Sequence, residues 1–216
     1  MKFWRIVRSV DQRETGNVYP YSKVDIPLNI DNNELILNHF FKKVNVETVV
    51  TPIPFLHPKA KLVDLMPGIA TGEIISEKFK KLIEETCPIG IQFIVQKLMK
   101  AGGNTIYYWL TNHYEFDYSV IDFRFTEICI MKSTWEEDFK VKVKNEGEFV
   151  NLIEDTQLPK SVKIFRPYFL GDYKMDFFAL RFIYNGFSFF CSDRFREKLE
   201  AEKITGIRYM ELDEVL

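Results

Sequence analysis

A chain of 216 residues is long enough for one domain of ordinary size or two small halves, and it buries enough surface to need no disulfide or metal staple. Its 29 basic and 31 acidic residues leave a formal charge of −2, which excludes the strong positive field of a protein that lives on phosphate backbones and predicts no nucleic-acid partner. Aromatic residues make up 15% of the chain, and their clustering in β-prone runs such as Ile106–Leu110 favours sheet over helix bundle.

In chain order, Met1–Arg8 alternates charged and apolar residues and opens a strand over about 3–10. It lacks the apolar core and cleavage site of a secretory signal. No apolar run reaches the roughly 20 residues needed to cross a bilayer, so no membrane partner is expected and the expected location is cytoplasmic. A turn-rich stretch with Gly16, Asn17, Pro20 and Pro27 follows. Asp31 is a candidate cap for a short helix through Phe41, and Val46–Val50 reads as a strand. Pro52, Pro54, Pro58 and Pro67 then break the chain repeatedly. Residues 1–70 therefore read as an irregular segment with little regular pairing, packed on a main domain over 71–216.

From Gly72 the signals sharpen. Glu73–Ile75 is a short strand, Ser76 an N-cap, and Phe79, Leu82 and Ile83 form one apolar helix face. Pro88 stops the helix, Gly90 opens a strand to about Met99, Lys100–Asn104 is a hairpin turn, and Thr105–Leu110 is the partner strand. Strands are also expected over 121–131, 139–143, 161–169, 177–184 and 187–191, with a short helix over 146–154 and a hairpin turn at Asn185-Gly186.

The earlier pattern then returns. Ser192 caps, Phe195 and Leu199 face a core, and Thr205-Gly206-Ile207-Arg208-Tyr209 opens the closing strand. Ser192 stands 14 positions before Gly206, as Ser76 stands 14 before Gly90. Phe79 matches Phe195, Ile83 matches Leu199, Ile91 matches Ile207 and Phe93 matches Tyr209, so residues 72–93 and 186–209 read as an internal duplication. The expected class is α+β, mainly antiparallel sheet with a few short helices and two related strand–helix–strand units.

No catalytic constellation stands out. His113-x-Glu115-x-Asp117 is the sharpest metal-like cluster, but the downstream Pro-Cys-x-x-Cys of the zinc deaminases is missing, and Thr111–Asp117 reads as a polar turn. There is no Gly-x-Ser-x-Gly elbow and no phosphate-binding glycine loop. Cys87, Cys129 and Cys191 are widely spaced in apolar surroundings and read as buried free thiols in a reducing compartment; Cys191 lies nearest a helix start. Glu136-Glu137-Asp138 reads as a solvated loop and Lys163–Tyr168 as a core strand rather than a base-stacking platform. Ser76 and Ser192 look like matched nucleophiles, and Gly90 and Gly206 like phosphate loops, until capping and turn chemistry explain all four. No catalytic, cofactor-binding or metal residue is assigned, no cofactor is expected, and the sequence locates no partner-binding surface.

The stretch Ile183–Phe195 through Gly206-Ile207-Arg208-Tyr209, with Ser76–Leu82, Gly90–Phe93 and Tyr107-Tyr108-Trp109-Leu110 upstream, resembles the MXAN-type immunity domain of bacterial polymorphic toxin systems over about residues 70–212. The resemblance implies a non-enzymatic protein that binds and neutralises a cognate secreted toxin domain by occluding it. A small hydrolase or nucleotide-processing enzyme, and a regulatory scaffold, are the alternatives.

Overall fold

A computed structural model describes residues 1–27, 34–39, 41–69, 72–133, 136–183 and 186–212. In chain order the elements are β1 (Phe3–Arg8), α1 (Gln12–Thr15), β2 (Tyr21–Asp25), β3 (Ile53–Leu56), β4 (Leu65–Met66), β5 (Ile74–Ile75), α2 (Glu77–Glu84), β6 (Ile91–Met99), β7 (Thr105–His113), β8 (Glu127–Met131), β9 (Glu137–Val141), α3 (Glu146–Asp155), β10 (Ser161–Arg166), β11 (Phe177–Ile183), β12 (Gly186–Ser192), α4 (Asp193–Ala201) and β13 (Ile207–Met210). The fold is α+β. One sheet runs β13-β1-β12-β11-β10-β8-β9 and the other β2-β3-β6-β7-β5-β4, mostly antiparallel, with parallel pairs at β10–β11 and β3–β6.

The chain divides into a seven-stranded unit (Met1–Val7, Phe116–Arg196, Tyr209–Leu216) and a six-stranded unit (Arg8–Glu115, Glu197–Arg208). This differs from the division expected at residue 70. The segment read as irregular supplies β2, β3 and β4 to the same sheet as β5, β6 and β7. Pro54 sits inside β3 opposite Val24 of β2, and the register of β3 with β6 runs through Phe55 and Met99. The strand expected at 46–50 is instead a turn with a single bridge from Val50 to Leu35. Asp31 lies outside the described residues, and Ile36–Asn38 forms one 3-10 turn. The strand expected to start at 121 begins at Glu127, because Asp122 turns the chain by accepting the Arg124 N–H on its side chain. Asn185 also lies outside the described residues.

In the six-stranded unit, Ile94 and Leu98 of β6, Leu110 of β7, Ile74, Met66, Leu56 and Tyr21 bury one face of the sheet. The seven-stranded unit uses the aromatic surplus. Phe3, Phe178 and Phe190 meet Phe169 and Tyr173, largely edge-to-face, and Tyr118 packs on Phe149 of α3 at 5.0 Å between ring centroids.

The two related strand–helix–strand units share more than the sequence pattern. In each, an aspartate precedes a strand that pairs with the strand leading to the cap: Leu65 opposes Ile75, and Phe177 opposes Cys191. Ser76 donates its hydroxyl to Asp64 Oδ1 at 2.5 Å and accepts the Phe79 N–H; Ser192 donates to Asp176 Oδ1 at 2.6 Å and accepts the Phe195 N–H. A tryptophan on the next strand closes the arrangement. Trp109 opposes Ile75 and gives its indole N–H to Glu77 at 2.5 Å; Trp4 opposes Cys191 and gives its indole N–H to Asp193 at 2.6 Å. The cation one helical turn beyond each cap lies over the same ring, Lys80 at 4.4 Å and Arg196 at 4.2 Å from the centroid. Both helices end through a left-handed residue (Cys87, φ 51°; Lys203, φ 53°) and a positive-φ glycine (Gly90, φ 65°; Gly206, φ 79°).

Candidate functional site

Most candidate reactive residues of the sequence turn out to be structural. His113 is the last residue of β7, opposite Ile91, and is buried; burial alone drives its pKa down to about 3 and keeps the imidazole neutral. The polar turn expected over 111–117 is therefore corrected at its start, since β7 continues through His113. Asp117 caps a 3-10 turn by accepting the Ser119 N–H at 2.9 Å and also accepts the Tyr173 hydroxyl. Glu115 is a backbone neighbour of Gly90: a Cβ on that glycine would stand 2.3 Å from the Glu115 carbonyl oxygen. Among the described residues no group of three or more His, Cys, Asp and Glu side chains converges as metal ligands do.

Cys87, Cys129 and Cys191 are free thiols; Cys129 and Cys191 are buried as expected, but Cys87 is exposed, since it lies in the turn after α2 rather than on its buried face. Burial first, and then the nearby Glu137 carboxylate, push the Cys129 thiol up to about 11, far from a reactive thiolate. Glu137 and Asp138 belong to strand β9 rather than to a loop, and Asp138 pairs with Lys160 at 2.7 Å. Glu73 is a carboxyl shifted upward by its surroundings. Burial raises it to about 6, against the pull of the Arg8 guanidinium and the Gly68 N–H donated to Oε2 at 3.0 Å.

Sequence reasoning missed Asp64, Asp176, Trp4 and Trp109. The aspartates stand 12 and 16 residues before their serines, so an ungapped repeat does not align them. Trp4 and Trp109 come from strands at opposite positions in the chain order of their units.

The exposed large apolar side chains include aliphatic residues such as Leu158 and Val10 and also five aromatic rings. Tyr19, Tyr107, Phe125, Phe139 and Tyr168 are all more than half exposed. Tyr107 lies beside exposed Lys97 on the β6–β7 hairpin. Phe139 lines an apolar groove of about 530 Å³ with Ile130, Val141, Leu152, Leu158 and Pro159. Phe125 and Tyr168 touch each other, with 5.3 Å between ring centroids.

Lys163–Tyr168 proves to be partly strand and partly surface: β10 ends at Arg166, Pro167 is buried and Tyr168 points outward. No helix among the described residues is long and apolar enough to cross a membrane. No protein-family model and no curated protein matches the chain.

Proposed function

We propose that this chain is a cytoplasmic immunity protein that binds a cognate secreted toxin domain and neutralises it by covering its working surface, without catalysis. The observation that carries the reading is the set of large aromatic side chains held at the surface: Tyr19, Tyr107, Phe125, Phe139 and Tyr168, each more than half exposed. Isolated apolar residues on a surface are ordinary, but rigidly held Tyr and Phe are the side chains that anchor protein interfaces. They supply large contact area at low entropic cost, which suits a stable complex of roughly 800 Å² per partner. The serines and glycines that the resemblance rests on serve caps and turns, so steric occlusion asks nothing further of them. Co-expression with the toxin domain encoded beside its gene tests the reading. Growth is expected to be rescued, and killing that proceeds unchanged in the presence of the folded protein overturns it.

A further inference from the structure

Phe125, Tyr168 and Arg124 form a fixed aromatic–arginine knob on the seven-stranded unit, and the packing of the core does not require it. The neighbours of the two rings face inward: Phe123 is buried and Phe169 packs against the same core, whereas Phe125 and Tyr168 are 66% and 57% exposed. Their backbones are tied together. The Asp122 N–H donates to the Tyr168 carbonyl at 2.8 Å, and the Tyr168 N–H donates to Thr126 Oγ1 at 2.9 Å. The Thr126 hydroxyl in turn donates to the Asp122 carbonyl. Arg124 is held in a fork by Asp122, Nε to Oδ1 at 2.8 Å and Nη2 to Oδ2 at 2.6 Å, with its guanidinium 5.4 Å from the Phe125 ring centroid. A surface cluster fixed in this way loses little freedom on binding.

The charges around it are one-sided. Asp122 is buried and its carboxylate is occupied by Arg124. Glu127 is paired with Lys140. Arg166, two residues before Tyr168 and cross-strand from Glu127, is exposed and makes no ion pair among the described residues. The exposed charge beside the rings is thus positive, but it amounts to very few cations. Nucleic acid and anionic membrane both draw their affinity from many phosphate contacts, which this cluster does not offer. The other exposed aromatics do not form a pair of exposed rings: Phe139 lies near the Lys160 ammonium, Tyr107 stands opposite Lys97, and Tyr19 rests on the buried Tyr21.

We infer that Phe125 and Tyr168 are the anchor through which this protein seats a protein partner, in an apolar socket whose rim carries a carboxylate facing Arg166. This rests on the toxin-binding reading above and names the surface it uses.

The test measures the affinity of the full chain, of the F125A/Y168A double variant and of R166E for the purified toxin domain encoded beside its gene, with thermal melts as a check on folding. The double variant is expected to melt like the parent and to bind roughly 100-fold more weakly, and R166E roughly 10-fold more weakly. Parent-like affinity of a folded F125A/Y168A protein overturns the assignment of this surface while leaving the toxin-binding reading intact. Failure of the parent chain itself to bind overturns both. Binding of the parent to a thymidine oligonucleotide or to phosphatidylserine vesicles that F125A/Y168A abolishes overturns the choice of a protein partner.

Discussion

In the six-stranded unit the tryptophan strand β7 follows the helix and the glycine turn in the chain, whereas in the seven-stranded unit the equivalent strand is β1, supplied from the N-terminus. The four strands around each cap nevertheless lie in the same spatial order, β6-β7-β5-β4 and β13-β1-β12-β11. The further strands attach at opposite ends, β3 beyond β6 and β10 beyond β11, each through a parallel pair. The arrangement is therefore defined by contacts and not by connectivity. A strand is held by its ladder and its side-chain pairs, so the tryptophan can arrive from either direction along the chain. A second difference is chemical. Three residues before the cap, Phe189 packs among aromatics while Glu73 holds a partly buried carboxyl facing Arg8.

The strongest way to break the equivalence is to empty the matched core positions. Phe79 and Phe195 are both almost completely buried, so Phe79→Ala and Phe195→Ala are each expected to cost about 3–5 kcal/mol in urea unfolding. If one costs less than about half the other, the two helices do not carry equal weight.

Acid should separate the units next. His113 is held neutral, so the stability it contributes is present above the unfolded value near 6.5 and is lost as pH falls from there toward 3, by up to about 1.4 kcal/mol per pH unit. Glu73 acts in the opposite sense. Its raised pKa favours the fold at low pH, and that contribution is lost as pH rises from 4.5 through about 6. The two oppose each other between about 4.5 and 6, and His113 prevails below that window. Glu73→Gln is expected to remove the opposing part and steepen acid destabilisation between pH 6 and 4.5, read from urea midpoints; an unchanged profile would show that Glu73 titrates normally.

Smaller effects sharpen the comparison at the caps. Ser76→Ala and Ser192→Ala each remove one capping acceptor and one donor to an aspartate, at an expected cost of about 1–2 kcal/mol. Asp64 retains the Thr205 N–H and hydroxyl, and Asp176 retains Arg194, so neither is left without a donor. The smallest change is Trp→Phe, which keeps the ring under its cation and deletes only the indole N–H. Trp109→Phe is expected to cost about 0.5–1 kcal/mol, because Glu77 is half exposed and water replaces the lost donor. Trp4→Phe should cost the same; a loss of more than about 2 kcal/mol at one site only would show that the two indoles are not equivalent.

The local pieces follow from residue chemistry along the chain. Ser76 and Ser192 cap because a hydroxyl one residue before a helix can accept an amide of its first turn, and Gly90 and Gly206 sit where the backbone needs positive φ. Apolar spacing placed Phe79 and Phe195 in a core, and the aromatic excess pointed to sheet. What those pieces meet depends on pairing between distant segments. Only the ladders bring Trp4, next to the chain start, to Asp193, and assign β3 and β4, from the proline-interrupted segment, to the sheet that β5 enters. Which aromatics stay outside was equally hidden. Phe123 and Phe125 are the same residue two positions apart, and their burial depends on a turn at Asp122 and on the backbone of Tyr168, residues brought together by the fold and not by the sequence. Local propensity is written along the chain, whereas strand pairing and surface exposure depend on contacts between distant segments, and a single sequence does not record those.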